Sequence, residues 1–397
     1  MLLFLVSLAC SDKDTLDTME TAVLADSDTQ PPPPPCDGGW GFITSDPEMA
    51  VHVRTDGDDT ADGSVYAPVA SLEKAVELAR DKARPIAIGP GTFPTAVSLY
   101  GEPEGMTIQG CSPDETILES SDPTLPVIDT NGADLVTLAG FTVVGGNIGI
   151  KVWGESDNIS ASNILIDGSS AAGISVNGGV CTLSDIIIVN LSAAAEGYGY
   201  GVASDGSELT LNNVSVTGAI SAGIVASGGS MALNSVTVAN TGTLADGSLG
   251  RGVQLQQYTT GTVNGLTLDG NADAGLFTMR SALSGSNVTI TNTASAKCDG
   301  CELDTGDAAV FTRGEENTDP SNYQISLTDV TIDKADRTGM LFSGVTATLG
   351  NVTASDCGHL VDDKALLSQD GAVVSGADFA TLDDVLPTNL TVLPIPG

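Results

Sequence analysis

One short apolar motif returns ten times along this 397-residue chain, and its spacing limits the fold more than any other feature. Phe141, Ile164, Ile186, Val214, Val236, Leu266, Val288, Val330, Val352 and Phe379 occupy equivalent places, separated by 23, 22, 28, 22, 30, 22, 42, 22 and 27 residues. Twenty-two is the ground period, and the longer gaps are that period with insertions. A second column follows about half a period on, at Ile150, Ile174, Val202, Ile224, Val253, Leu276, Val310 and Met340. A fixed period built from short alternations means stacked β-coils, because no single coil buries its own apolar face. The repeat specifies an architecture and names no reaction.

The copy from Glu208 to Gly229 shows how one coil works. Leu209-Thr-Leu211, Val214-Ser-Val216 and Gly223-Ile-Val-Ala226 alternate apolar and small residues, separated by Asn-Asn, Thr-Gly-Ala and Ser-Gly-Gly. Period-two runs punctuated by Gly, Asn and Ser read as three strands and three turns. Stacking such coils about 4.8 Å apart pairs each strand with its equivalents above and below.

The ends and the composition set the surroundings. Residues 1–10, MLLFLVSLAC, are too short to span a bilayer and read as a secretory signal peptide. Residues 11–36 are acidic, carry Pro31 to Pro35 and read as a disordered, semi-rigid tether. Residues 37–397 are then one domain, with a capping region over 50–84 and coils over about 85–385. A net charge of −37 with 14 Lys and Arg argues against nucleic acid and against direct adhesion to anionic lipid. It also repels polyanionic glycans unless a cation intervenes.

Six cysteines follow Cys10, which is compatible with disulfides in an exported protein. Cys181 falls in an apolar column and reads as a buried free thiol, whereas Cys298-Asp-Gly-Cys301 reads as a small loop-closing disulfide. Asp56, Asp58, Asp59 and Asp62 have the oxygen-rich look that suits Ca²⁺, although Asp-Gly turn chemistry accounts for the same residues.

Three resemblances follow from particular residues. Ser7-Leu8-Ala9-Cys10 resembles a bacterial lipobox, which implies acylation of Cys10 and a lipid anchor at the outer membrane or cell surface. The residue before the first column is Asn163, Asp185, Asn213, Ser235, Gly265, Asn287, Asp329, Asn351 and Asp378, and it resembles the asparagine ladder of the pectate-lyase-like proteins. The stretch from Val51 through the Asp/Gly turn, a helical segment Ser71 to Ala83 and Ile86-Ala-Ile-Gly-Pro-Gly-Thr-Phe93 resembles the opening of bacterial pectin-lyase-like chains. These likenesses imply an all-β, right-handed parallel β-helix of about eleven to twelve coils with a short N-terminal capping helix.

Insertions cluster at one turn, because the distances between the two columns are 9, 10, 16, 10, 17, 10, 22 and 10. Long loops near 190–201, 240–252 and 293–309 therefore emerge on alternate coils, and the family resemblance implies a saccharide groove beside them. If the second column points inward, outward positions are Lys151/Trp153, Ser175/Asn177, Ala203/Asp205, Val225/Ser227, Gln254/Gln256, Phe277/Met279, Phe311/Arg313 and Leu341/Ser343. Asp205 is the only acid among them, which counts against the two-carboxylate chemistry of glycoside hydrolysis. Arg280 and Arg313, with Arg251, are expected to converge at one end, either as an anion subsite of a lyase or paired with Asp307, Glu315 and Glu316. Lys151, Trp153, Asn177, Gln256 and Arg251 are the expected ligand-binding residues, and Arg280, Arg313 and Asp205 the weak catalytic set.

The expectation is a monomeric, non-catalytic surface protein that binds a polysaccharide or a partner protein. The alternative is a polysaccharide lyase or other carbohydrate-active enzyme working in the groove along the first-strand sheet.

Overall fold

A computed structural model of the chain describes residues 36, 49–80, 84–101, 104–153, 158–194, 197–298, 304–315, 319–358, 365–382 and 386–396. Cys10, the tether bar Cys36, and Cys301 lie outside the described residues. The fold is an all-β parallel solenoid of about eleven turns. Its strands stack into a fifteen-stranded sheet and a twelve-stranded sheet.

The first apolar column runs in register from Phe141 to Val352, for example Ile186 beside Val214, Val214 beside Val236 and Val236 beside Leu266. Phe379 does not continue it, since the next strand of that sheet is Val373–Ser375, paired with Thr346–Thr348. The second and third strands of each coil merge into one long strand such as Glu208–Thr217. This strand breaks at Asn213, whose φ of 54° turns the chain; Asn163, Asp185, Ser235, Asn287, Asp329 and Asn351 share that left-handed backbone. Asn and Asp adopt it at little cost because their short side chains bond locally. The ladder closes in pairs: Asn213 donates to Asp185 at 2.6 Å and Asn351 to Asp329 at 2.6 Å. Ser235 and Gly265 interrupt it between them.

The second column holds from Ile150 to Leu276, then corrects the sequence reading by one residue. Leu276 pairs with Ala309, and Ala309 with Met340, so Val310 faces outward and Phe311 joins the interior. A glycine precedes most members of this column. At Gly223, inside strand Ala222–Ser227, an added Cβ would lie 2.2 Å from Val238 Cγ1 and 2.8 Å from the Gly252 carbonyl, so a side chain there would force its neighbours to shift.

At the N-terminal end, helix Leu72–Ala79 starts from an N-cap at Ser71, whose hydroxyl accepts from the Lys74 amide at 3.2 Å. It buries Leu72, Ala75, Val76 and Ala79 against the solenoid core. Glu73 ties it to the first coils, accepting from the Thr95 hydroxyl at 2.7 Å and the Ala96 amide at 3.1 Å. A Cys36–Cys111 disulfide joins the start of the described chain to an early coil. Cys181 and Cys357 are buried free thiols, and burial pushes Cys181 up to about 12. Cys298 is disulfide-bonded.

Candidate functional site

The twelve-stranded sheet is where the insertions converge. The loops before Tyr200, Arg251 and Asp307 stack on one another: Ser248 bridges Lys297, Ile220 bridges Gly242, and Ser295 is fixed by Asp336 at 2.8 Å. Tyr198 stacks on Tyr200 with ring centroids 5.8 Å apart. The three insertions thus form a wall along the head of this sheet, where their spacing places them.

The sheet's outward face is not an open groove. Strands Arg251–Gln256, Ala274–Met279, Asp307–Thr312 and Thr338–Ser343 are buried at every position. The cover is the chain's own segment 386–396. Leu386 and Leu390 pack on a patch of Phe277, Met279, Val310, Leu341 and Leu367, while Leu393 and Ile395 pack on Ile148, Tyr200, Ala203 and Val225. Two glutamines hold it as amide mimics. Gln256 donates to the Leu393 carbonyl at 2.7 Å and accepts from the Leu393 amide at 2.9 Å. Gln369 does the same for Leu386, at 3.0 and 2.7 Å. Gln254 donates to the Thr391 carbonyl at 3.2 Å and Ser175 to the Pro396 carbonyl at 2.5 Å.

Beneath the segment lies a charge set that the sequence reading missed. Arg251 pairs with Asp273 at 2.6 Å, and Arg337 with Asp307 at 2.9 and 2.5 Å; all four residues are buried. Arg251 also lies over the Phe277 ring at 3.5 Å and donates to Gln254 Oε1 at 2.7 Å. Each arginine then reaches the covering segment, Arg251 at the Asn389 carbonyl and Arg337 at the Pro387 carbonyl, the latter at 2.8 Å. Burial pushes the Asp307 carboxyl upward against the pull of Arg337. With both partners present the set is neutral, which is how charges persist out of water.

Several expected site residues therefore take other places. Arg251 does not converge with Arg280 and Arg313. It heads its strand, whereas Arg280 follows Met279 at the far end and its amide bonds the Thr312 carbonyl at 2.9 Å. Arg280 and Arg313 do lie on adjacent coils as expected, but Arg313 is held by Asp370 in two bonds of 3.0 and 2.7 Å. Asp307 belongs to Arg337 instead. Gln256 is outward yet covered. Asp205 and Asn177 are cross-strand neighbours on adjacent coils, and Asp205 is exposed with Ser227 on its other side. Trp153 is 40% exposed, and the Lys151 ammonium sits 4.4 Å over one face of its ring.

The acidic turn does not gather into one cage. Asp56 pairs with Arg54 at 3.0 Å, Asp58 accepts from the Thr60 amide and hydroxyl at 2.8 Å, and Asp62 accepts from the Ser64 amide at 2.9 Å. Asp59 caps the helix through the Ala70 and Ser71 amides at 2.8 and 2.9 Å. The backbone and side-chain bonds from Thr60 and Ser64 hold Asp58 and Asp62 below the usual carboxylate range. Asp58 and Asp62 each close a turn of their own, while Asp56 holds Arg54 and Asp59 the approach to the helix.

What remains open is the flank between the loop wall and the covering segment. A cleft of about 500 Å³ there is lined by Tyr198, Leu244, Asp246, Ser248, Leu249, Cys298, Glu315 and residues 388–391. A neighbouring cleft of about 370 Å³ is lined by Asn147, Ile148, Tyr198, Tyr200 and Pro394 to Pro396. Asp246 and Glu315 are exposed carboxylates sharing the larger cleft. The Ser248 hydroxyl and amide bond Asp246 at 2.7 and 2.9 Å and hold it below the ordinary carboxylate range. Among the described residues no lysine or arginine lines this cleft, although the charge of Lys297 acts on Asp246 from beside it. Sequence reasoning placed the wall but not Asp246, because the outward-facing parity it followed applies only to the strands, and it named Glu315 only as a partner for the arginines.

No protein-family model and no curated protein matches the chain. Solved structures do. The catalytic unit of a thermostable GH87 α-1,3-glucanase from Streptomyces thermodiastaticus superposes with a TM-score of 0.56 at 16% identity, over 90% of this chain and 73% of that one. A GH87 α-1,3-glucanase catalytic domain in complex with nigerose gives 0.50 at 16% identity, over 86% and 69%. The enzymatically active domain of a bacteriophage CBA120 tailspike gives 0.49 at 12% identity, over 75% and 45%. At such identities the likeness is one of fold.

Proposed function

We propose that this chain is a carbohydrate-active β-solenoid that takes a neutral polysaccharide in the cleft between its loop wall and its C-terminal segment. The observation that carries this reading is the cleft lining: an aromatic ring from Tyr198, hydroxyls from Ser248, Thr388 and Thr391, and the carboxylates of Asp246 and Glu315. Rings and hydroxyls fit the alternating apolar and polar faces of a sugar. Two carboxylates at one cleft are the equipment of glycoside hydrolysis. Asp246, held below the ordinary carboxylate range by Ser248, suits the base or nucleophile, with Glu315 as the second carboxylate of the cleft.

A neutral glycan is favoured over a uronate. The cleft is acidic and the whole chain carries −37, so a polyanion is repelled twice. This also disfavours the lyase that is the alternative from sequence, since Arg313 is occupied by Asp370. The solved neighbours named as α-1,3-glucanases support the same substrate class.

A second reading, glycan binding without turnover, is favoured by the covered sheet face. One experiment separates the two. The purified chain is incubated with neutral polysaccharides, α-1,3-glucan among them, and both retained ligand and new reducing ends are measured. Hydrolysis that disappears in Asp246→Asn and in Glu315→Gln supports the enzyme. Retention without new reducing ends, weakened in Tyr198→Ala, supports the binding protein, and neither signal removes the carbohydrate reading.

We also propose export and lipid anchoring at the cell surface through Cys10, the cysteine of the lipobox-like segment. Labelled palmitate incorporated by the native chain and not by Cys10→Ala is the expected result.

A further inference from the structure

We infer that segment 386–396 is a displaceable strap, and that its release opens the flanking cleft into a groove running across the outward face of the twelve-stranded sheet. Only the ligand in this inference rests on the carbohydrate reading above; the release does not.

Three observations carry it. First, none of the backbone-to-backbone hydrogen bonds found among the described residues involves the strap, although it lies over a sheet for much of its length. Its carbonyls and amides are served by side chains: Gln256, Gln369, Gln254, Arg251, Arg337 and Ser175. Pro387, Pro394 and Pro396 lack the amide that ladder pairing needs, so the segment is built to lie extended without becoming a strand.

Second, the surface beneath is an unusual choice for a permanent cover. Apolar residues of the same size would be as stable or more stable there than a buried pair of ion pairs. Instead, alternate carbonyls of the strap, at Asn389, Thr391 and Leu393, accept from Arg251, Gln254 and Gln256 along one strand. A row of donors spaced to meet an extended chain of acceptors also meets the hydroxyls and ring oxygens of an extended glycan.

Third, the strap is itself a wall of the site. Residues 388–391 line the larger cleft and Pro394 to Pro396 the smaller, so both become one trough when it leaves. The side chains of Leu386, Leu390, Leu393 and Ile395 add apolar contact to the strap's hydrogen bonds, and a competing polymer can replace both.

Hydrogen exchange on the full-length chain tests this without any ligand. The Leu386 and Leu393 amides, both donated to glutamine side chains, are expected to exchange at least about a hundredfold faster than amides of Ala222–Ser227 and Arg251–Gln256. Gln256→Leu with Gln369→Leu is expected to accelerate strap exchange further and leave the strands unchanged. Strap and strand amides that exchange together overturn the inference, because the segment is then an integral part of the stack.

Titration with a linear α-1,3-gluco-oligosaccharide gives the second arm. If the strap competes with the glycan, Leu386→Ala with Leu393→Ala, which cuts strap anchors and keeps every donor of the groove, binds it about tenfold tighter than the native chain. Equal binding by both proteins overturns the competition and leaves the carbohydrate reading standing. No binding by either, with a freely exchanging strap, removes the carbohydrate reading and leaves the strap standing.

Discussion

The two sheets of this solenoid have the same inner face and opposite outer ones. In the fifteen-stranded sheet, strand Glu208–Thr217 alternates between buried and accessible positions, and Ile187 stands 51% exposed beside fully buried Ile186 and Ile188. In the twelve-stranded sheet every residue of Ala274–Met279 is buried, so both sides of one strand are core. One sheet meets water with rows of Thr, Ser, Asn and Asp. The other meets a strap from the far end of the chain. The repeat therefore determines the interior, whereas sequence-distant residues decide what each exterior becomes.

The largest expected effect lies under the strap. Arg337→Ala leaves Asp307 buried without its partner, and such a loss costs about 3–5 kcal/mol. Arg54→Ala, at a largely exposed pair with Asp56, is expected to cost under about 1 kcal/mol. Denaturant unfolding of both variants measures the gap. Equal losses would mean that the covered face is wetter than its burial implies.

Next come the strands themselves. On the fifteen-stranded sheet, Ile188→Ala is expected to cost about 2–5 kcal/mol, while Ile187→Ala stays within about 0.5 kcal/mol. On the twelve-stranded sheet, Leu276→Ala and Phe277→Ala are both expected to cost about 2–5 kcal/mol, because each side chain is 1% exposed. A harmless Phe277→Ala would show that the strap does not cover its patch in solution.

The interior was legible because period-two alternation survives in most coils. It failed where alternation vanishes: Ala308-Ala309-Val310-Phe311 is apolar throughout, and Ala308 stands where Gly223 and Gly275 precede the column in other coils. With no polar residue to set parity, the column was placed one residue late. The covered face had a signal that went unused. Leu276-Phe277, Met340-Leu341-Phe342 and Leu366-Leu367 are apolar on both sides, which means cover on both sides. The cover itself was hidden, since Leu386 to Pro396 carries three prolines and reads as a linker. Charge at a strand head, as in Asp307, looks like a loop acid until its neighbouring coil supplies Arg337.

The smallest effect separates the two faces by the sign of their pH dependence. On the open face, the Thr291 hydroxyl and the Asn292 amide bond Asp269 at 2.6 and 2.7 Å and hold it below the usual carboxylate range. Its contribution is present above the unfolded carboxylate pKa and is lost as pH falls through the depressed folded value. Asp269→Asn should therefore lose stability at neutral pH, by under about 1 kcal/mol at so accessible a site, and the loss should fade in acid. Under the strap, burial raises Asp307, so its contribution is present below the unfolded pKa and is lost as pH rises through the folded one. The deficit of the doubly neutralised Asp307→Asn, Arg337→Gln chain should accordingly shrink as pH rises, while that of Asp269→Asn grows. Unfolding midpoints followed from about pH 3 to 7 give both slopes; slopes of one sign would mean that Arg337, and not burial, governs Asp307.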